Sequence, residues 1–244
     1  MRAILTFHSI DSSGSPISMS KDAFARQVAW LAKGRVRVTT VDDLLQLPDD
    51  VDAAAVTFDD GFRNFAEIAA PLLAEHGLPS TVFVVSDHAG GTNTWGGVPD
   101  PGVPTLPLLG WDELARLRER GVTLGAHTRR HRSLPTLTGD ALTDEICGAA
   151  EVIETHTGAP PVGFAYPYGR VSDAASAIVE RAYAWGCTTE LRVLRGAEAR
   201  ARVPRLDMYY FRDSGWLERW GTARFNYYVK LRAQARHVRQ RLAS

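Results

Sequence analysis

The stretch AAAVTFDDGFRN, residues 53–64, joins an apolar run directly to two adjacent aspartates and a glycine. Residues 53–58 predict a β-strand that is covered on both faces, because such strands are nearly continuous in apolar residues. Asp59 and Asp60 then stand at the end of that strand, where two like charges in contact disfavour each other's ionised form. The pair is therefore either a solvated turn or part of a site that offsets the repulsion.

Outward from this stretch, strand-like and helix-like patterns alternate along the chain. Strands are predicted at residues 3–7, 53–58, 80–85, 122–127, 162–166, 186–189 and 202–207. Helices are predicted at residues 21–33, 64–77, 111–121, 139–158 and 173–186. Repeated strand–helix units indicate an α/β fold with a parallel sheet and helices outside it. The number of units favours a closed or nearly closed β/α barrel, with active groups at the carboxyl ends of its strands; an open doubly wound sheet is the alternative.

The composition argues against several classes of protein. The 244 residues hold 28 Lys and Arg against 28 Asp and Glu, so the net charge gives no reason to expect nucleic acid as a partner. The only cysteines, Cys147 and Cys187, lie far apart in the sequence, which argues against a disulfide scaffold and against a cysteine-ligated zinc site. Apolar runs fall short of the roughly 18 residues of a membrane span, and residues 3–7 are too short for a secretion signal. We therefore expect a cytoplasmic protein.

Polar groups follow three of the predicted strands: the aspartate pair at residues 59–60, HTRRH at residues 127–131 and YPYG at residues 166–169. A spacing of four places His127 and His131 on one side of a helical turn, where two imidazole nitrogens can chelate one divalent ion such as zinc. Asp60 is the candidate third ligand. A bound cation would hold one aspartate ionised and leave the other free to act as a base. Each motif alone is more typical of a turn or a surface pair, so the prediction depends on their occurring together at strand ends.

The motifs TFDDGFRN, HTRRH and FAYPYG make the chain resemble the polysaccharide deacetylases of carbohydrate esterase family four, the NodB-homology domain. The resemblance extends from FHSI near the start to about Asp207, and it implies a distorted (β/α) barrel with about seven strands. It implies that Asp59 is the catalytic base and that the metal ligands are Asp60, His127 and His131. Pro167 and Tyr168 would line the substrate groove. The backbone N–H of Tyr168 would stabilise the oxyanion that forms while an N-acetyl group is removed from an amino sugar.

The sequence departs from the pattern of this family in two places. Ala165 stands where the third motif often carries an arginine, and the C-terminal region lacks the Leu-x-His motif that usually supplies the catalytic acid. Arg205 is the candidate to pair with Asp59 in place of the missing arginine, and Asp207 is a candidate site residue beside it. His8, directly after the first strand, is the candidate acid, although a single histidine in such a place is often structural.

Two segments bear on the substrate. The loop at residues 86–110 is rich in Gly and Pro and contains Trp95, which would either stack on a sugar ring or anchor the loop on the barrel.

Residues 214–244 are predicted to form an aromatic, basic helical extension to a deacetylase domain of residues 1–213. After Trp216 this extension holds one acid and seven basic residues, Arg219, Arg224, Lys230, Arg232, Arg236, Arg239 and Arg241. Such a helix can lie on an anionic membrane surface, or it can pack on the barrel with its basic face in solvent.

The leading hypothesis is a metal-dependent hydrolase that removes an N-acetyl group from an amino sugar. One divalent metal ion, expected to be zinc, would be its cofactor. The expected cytoplasmic location favours an intermediate over a finished wall polymer: a nucleotide sugar, a lipid-linked saccharide at the inner membrane face, or a sugar-bearing metabolite. The alternatives are a deformylase of a lipid-linked formamido sugar and a non-catalytic glycan-binding protein on the same fold. A metal phosphoesterase is disfavoured, because it would usually need two metal ions and the motifs supply ligands for one.

Overall fold

A computed structural model describes residues 1–212 and 214–242, and in this structure seven parallel strands close into a barrel. The strands of the chain are β1 (Arg2–Phe7), β2 (Ser9–Ile10), β3 (Ser18–Met19), β4 (Arg37–Val38), β5 (Ala53–Phe58), β6 (Ser80–Val84), β7 (Thr123–Ala126), β8 (Gly163–Ala165), β9 (Trp185–Leu191) and β10 (Val203–Asp207). β1 pairs with both β5 and β10, and the ring is completed through β6, β7, β8 and β9. The short β4 pairs with the first residues of β5, and β2 and β3 pair separately. The closed ring confirms the predicted barrel of about seven strands and excludes the open sheet.

Helices surround the ring and separate most of its strands along the chain. They are α1 (Lys21–Leu31), α2 (Val41–Gln46), α3 (Ala70–Ala74), α4 (Trp111–Glu119), α5 (Gly139–Thr143), α6 (Ala149–Thr157), α7 (Asp173–Ala182) and α8 (Ala223–Leu242). Two π-helical turns, Phe65–Ala69 and Asp144–Gly148, lead directly into α3 and α6. α1 begins where the Ser20 side chain accepts a hydrogen bond from the backbone N–H of Ala23, as an N-cap residue does.

Some predicted boundaries are wrong. The helix predicted at residues 173–186 ends at Ala182, and β9 begins at Trp185. Trp185 fits the helical spacing in the sequence, but its side chain is fully buried in the barrel, so burial decides its conformation. β4 and α2 were not predicted, because elements of two and six residues are too short to show a clear period.

The barrel interior is filled by alternate residues of the strands, which form an apolar cluster separate from the larger core under the helices. The rings of Phe83 and Trp185 lie edge to face there, with centroids 5.7 Å apart and an interplanar angle of 88°. Small residues on the neighbouring strands, Ala55, Ala165 and Gly163, leave room for these rings. The interior is therefore a packed core, and it supports the end of the barrel where the strands have their carboxyl ends.

Aromatic residues of the C-terminal segment pack onto the barrel. Two ring pairs join this segment to preceding parts of the chain, with centroid separations of 5.5 Å for Phe211–Phe225 and 5.8 Å for Trp30–Trp220, and Trp216 stacks on Tyr228 within the segment at 3.7 Å. Phe225 is completely buried by them. α8 is thus held against the barrel by its aromatic face.

Some predictions fall on residues outside this description. The predicted domain boundary falls at Asp213, and the predicted extension ends with Ala243 and Ser244, none of which the structure describes. The side chains of Arg239 and Arg241 also lie outside the described part. The division into residues 1–213 and 214–244 therefore stays a prediction. Among the helices of the two described ranges, none combines the length and the apolar character that crossing a membrane requires.

We expect the substitution Gly163→Ala to destabilise the protein. A Cβ atom at this position would lie 2.3 Å from the ring of Trp185, so the added methyl overpacks the interior. Overpacking of this kind costs about 1–3 kcal/mol in the free energy of unfolding, which urea denaturation measures. In a Trp185→Phe background the same substitution should cost less, because the smaller ring leaves space. An equal cost in both backgrounds would contradict the proposed clash.

Candidate active site

The carboxyl ends of the barrel strands form the rim of a cleft of about 470 Å³. Because the strands are parallel, the residues that follow them come to the same rim. The cleft is lined by nine of the ten predicted site residues, His8, Asp59, Asp60, Trp95, His127, His131, Tyr168, Arg205 and Asp207. Pro167, the tenth, is buried directly before Tyr168 and is not among the described residues that line the cleft.

Asp60, His127 and His131 form a compact group of metal-ligand type. The Oδ1 atom of Asp60 lies 3.4 Å from Nε2 of His127 and 3.3 Å from Nε2 of His131, and all three side chains are buried. No hydrogen bond within the described residues reaches this oxygen. Two ligands of a tetrahedral zinc ion, each about 2.0–2.1 Å from it, lie about 3.3 Å apart. The donor set and its spacing therefore fit one divalent metal ion.

The two histidines are oriented for this role by their second nitrogen atoms. Nδ1 of His127 lies 2.7 Å from the carbonyl oxygen of Ala165, so this nitrogen carries the proton. Nε2 therefore keeps the lone pair that can bind a metal ion. Nδ1 of His131 lies 3.2 Å from the hydroxyl of Tyr168. Burial lowers the pKa of His131, which favours the neutral imidazole that metal binding needs. Burial alone would raise the pKa of Asp60, but the two imidazoles beside it hold this pKa well below its ordinary value, so the carboxylate is ionised.

The chain between the two histidines is not helical, so the predicted helical turn is wrong although the two side chains do meet. Residues 127–131 form an irregular loop, in which the backbone N–H of His131 donates to Oγ1 of Thr128 over 2.9 Å. Both of these residues have positive φ angles, 64° for Thr128 and 58° for His131. Asp60 and Tyr168 are the other non-glycine residues of the described ranges with positive φ. Asp60, His131 and Tyr168 line the cleft and Thr128 directly follows His127, so the strain is concentrated at the rim, as is typical of functional sites.

A buried carboxylate that the sequence analysis missed, Glu145, supports this loop. Its Oε2 atom accepts hydrogen bonds from the backbone N–H groups of Arg129 and Arg130, over 3.1 Å and 2.9 Å. Its Oε1 atom accepts from Nε of Arg130 over 2.8 Å. Glu145 lies in the π-helical turn before α6, and turns of this kind often occur at functional sites. In the sequence it reads as an ordinary helical glutamate, so no local signal identifies it.

Asp59 is paired with Arg205, whereas the neighbouring Asp60 faces the two histidines. Arg205 donates to both of its carboxylate oxygens, from Nη1 over 2.6 Å and from Nη2 over 2.8 Å, and both side chains are buried. Burial alone would raise the pKa of Asp59, but the charges of Arg205 and His8 hold it below its ordinary value. A buried bidentate pair of this kind is held in one geometry. The neighbouring aspartates therefore have different partners.

Two further candidates lie beside this pair. Nε2 of His8 is 3.7 Å from Oδ2 of Asp59, and the His8 side chain is 24% exposed, so it reaches both the carboxylate and solvent. Asp207 accepts a hydrogen bond from the backbone N–H of Tyr209 over 3.1 Å, and its other oxygen lies 3.5 Å from Nη1 of Arg236 in α8. Arg236 was not among the predicted site residues.

Trp95 covers the metal-ligand group from the long loop. Its ring stacks on His131 with centroids 4.4 Å apart and an interplanar angle of 26°, and it meets His88 edge to face at 5.0 Å. The side chain of Asn93 holds the loop by accepting from the N–H of Leu106 and donating to the carbonyl of Pro104. Trp95 thus both anchors the loop and lines the cleft.

A closed α/β barrel with aspartate and histidine side chains gathered in one cleft at its carboxyl rim is an arrangement that suits a hydrolase. The family model described as polysaccharide deacetylase matches residues 47–184, which is more than half of the chain. The chain therefore belongs to the polysaccharide deacetylase family, which confirms the resemblance carried by the three motifs.

Individual relatives agree with this assignment. A protein of Bacillus subtilis (strain 168) named "Putative polysaccharide deacetylase YxkH" is 25% identical over 193 residues, which cover 77% of this chain and 64% of that protein. The chain thus spans about two thirds of the length of this relative. IcaB from Ammonifex degensii superposes with a TM-score of 0.71 at 22% identity, over 84% of this chain and 91% of that one. The Streptococcus pyogenes deacetylase PplD, solved in complex with acetate, gives 0.70 at 20% identity over the same shares. At these identities the two structures show that the fold is shared.

We expect Arg205→Met to destabilise the protein strongly. The substitution leaves Asp59 buried without its cation, and breaking a buried pair in this way costs about 3–5 kcal/mol in the free energy of unfolding. Urea denaturation measures the loss. The double variant Asp59→Asn/Arg205→Met should lose less than the sum of the single variants, because the uncompensated charge is gone. Additive losses would show that the two side chains are not coupled.

We expect Glu145→Gln to weaken metal binding. The glutamine amide cannot accept from Nε of Arg130 while its oxygen accepts from the two backbone N–H groups, so the loop that holds His127 and His131 loosens. Loss of such indirect support typically lowers metal affinity about 10–100-fold, which competition with a fluorescent zinc chelator measures. Glu154→Gln, an exposed position in α6, is the matched control. Equal affinities for the two variants would refute the supporting role of Glu145.

Proposed function

We propose that this chain is a metal-dependent N-deacetylase of an amino sugar. The observation that carries the proposal is the division between the adjacent carboxylates: Asp60 faces two histidine nitrogens with a free oxygen, whereas Asp59 is held by Arg205. A single cleft thus offers a metal site and, beside it, a carboxylate without a metal-ligand role. This arrangement suits the hydrolysis of an amide, which needs both an electrophilic centre and a base.

The metal would be held by Asp60, His127 and His131, and zinc suits this set of one oxygen and two nitrogen donors. When bound, a divalent ion supplies a Lewis acid that polarises the acyl oxygen and lowers the pKa of water. Asp59 would remove the proton from the attacking water as general base, with Arg205 fixing the direction of its carboxylate. The bond that breaks joins the acyl carbon to the sugar nitrogen, and it releases a carboxylic acid and an amine.

The amine needs a proton to leave, and the oxyanion needs a hydrogen-bond donor. The rim of the cleft has a candidate for each role. His8, close to Asp59 and partly open to solvent, would give the leaving amine its proton. The backbone N–H of Tyr168 would donate to the oxyanion. Pro167 directly precedes Tyr168, and its fixed φ angle would hold this turn in one conformation. Trp95 would contact a sugar ring at the mouth of the cleft, and Asp207 would accept hydrogen bonds from sugar hydroxyls. A cleft of about 470 Å³ has room for one sugar residue with its acyl group.

The test is acid release by zinc-loaded and chelator-stripped protein from nucleotide sugars, lipid-linked saccharides and short oligosaccharides that carry an N-acetyl group. We expect release of acetate that depends on the metal. Asp59→Asn should lower kcat about 10²–10⁴-fold, as loss of a general base does, without changing the metal content. Asp112→Asn, an exposed substitution in α4, removes the same charge and should leave kcat unchanged.

Other outcomes identify the alternatives. Release of formate but not acetate, from formamido sugars, would show a deformylase. Binding of glycans with no acid release by the zinc-loaded protein would favour the non-catalytic binding protein. Full activity after metal removal would contradict the proposed mechanism.

A further inference from the structure

A second groove, of about 1080 Å³, lies beside the active-site cleft and shares lining residues with it. It runs between the end of β9 with the loop that follows and one side of α8. Tyr168, Thr189 and Arg236 line both the groove and the cleft, so a substrate whose acyl group enters the cleft can continue into the groove. We call this second site the basic groove.

The charge of the basic groove is one-sided. Its lining includes one carboxylate, Glu190, and six lysine or arginine side chains, Arg170, Arg192, Arg195, Arg202, Lys230 and Arg236. Arg192 is paired with Glu190 and Glu198, and Arg202 is paired with Asp173. The single carboxylate of the lining, Glu190, is thus already paired.

Three of the cations are left over. Arg170, Arg195 and Lys230 form no ion pair with any carboxylate of the described ranges, and all three are exposed along the groove. Cations that line a concave surface concentrate positive potential there and attract anions. The overall formal charge of the chain is zero, so this potential is local to the basic groove.

Arg236 stands where the basic groove meets the cleft. Its Nη1 atom lies 3.5 Å from Asp207, and it makes no other polar contact within the described part of the chain. The planar guanidinium therefore keeps donors free at the junction, and a guanidinium is suited to bind two oxygens of one phosphate. A neutral glycan chain would instead favour aromatic surfaces, and Tyr168 supplies the only phenol or indole ring among the described residues of the lining.

We propose that the basic groove binds a phosphate or diphosphate group of the substrate, so that the amino sugar in the cleft is carried by a phosphorylated group. This inference rests on the proposed deacetylase function and narrows its substrate class. A nucleotide diphosphate and a lipid diphosphate share this chemistry.

The first test measures binding without catalysis. Inorganic diphosphate is titrated by calorimetry into the zinc-loaded and the chelator-stripped protein, and we expect equal affinities that fall as salt rises. The variant Arg195→Glu/Lys230→Glu reverses two groove charges and should weaken binding about 10-fold or more. Lys21→Glu/Arg120→Glu makes the same change in net charge at exposed positions outside the groove and should have little effect. Binding that requires zinc, or equal losses in both double variants, would overturn the proposal.

The second test uses turnover. The substrates are uridine diphosphate N-acetylglucosamine, polyprenyl diphosphate N-acetylglucosamine in neutral phosphatidylcholine vesicles, and the neutral trimer of N-acetylglucosamine. Arg195→Glu/Lys230→Glu should raise KM about 10-fold for a diphosphate substrate, with kcat preserved, and should not change KM for the trimer. Turnover of the soluble or of the vesicle substrate identifies the source of the diphosphate. Deacetylation of the trimer without diphosphate binding would overturn this inference alone, whereas diphosphate binding without any deacetylation would overturn the proposed function alone.

Discussion

The buried pair of Asp59 and Arg205 is the interaction on which the rest of the site depends. Asp59 directly follows β5 and Arg205 lies in β10, on opposite sides of β1, so the pair connects the strands where the barrel closes. Nε of the same guanidinium donates to the carbonyl oxygen of Thr188 in β9. One side chain therefore ties three strands together and fixes the carboxylate that is proposed to act as base. The guanidinium that orients that carboxylate therefore also connects the two strands that flank β1.

The second constraint is the backbone at Asp60. In an extended strand, consecutive side chains point to opposite faces. The strand has already ended before Asp60, which has a φ of 70°, so the direction of its side chain is set by a turn. The turn sends its carboxylate toward His127 and His131, away from Arg205. Repulsion between the adjacent aspartates is thereby reduced, because Asp59 lies beside Arg205 and Asp60 lies beside the two imidazoles. The question raised by the sequence, why two carboxylates follow a buried strand, is answered by this difference in direction.

The sequence was sufficient for a parallel α/β fold, because continuous apolar runs alternate with helical patterns. The choice of a barrel over an open sheet depended on the number of units and on the resemblance carried by the three motifs. The sequence also identified the residues of the cleft, since Asp59, Asp60 and the two histidines occur in motifs of fixed spacing. Residues that act through tertiary contacts could not be predicted from the sequence in the same way. Glu145 acts through backbone N–H groups of a loop 15 and 16 residues away in the chain, and nothing local distinguishes it from a solvated helical glutamate. Arg236 belongs to a basic helix whose docking depends on aromatic packing, which no periodicity reveals.

The four strained residues of the rim have a consequence for protein engineering. At each of them glycine, or in some cases asparagine, would lower the cost of the positive φ but would also remove the contacts of the present side chain. A selection that rewards thermal tolerance alone gives no protection to the side chains that the proposed chemistry needs at such positions, His131 and Asp60. Stability and activity are opposed at these positions, whereas elsewhere in the barrel they are free to improve together. A laboratory evolution campaign on this scaffold should hold the four positions constant and search the outer helices.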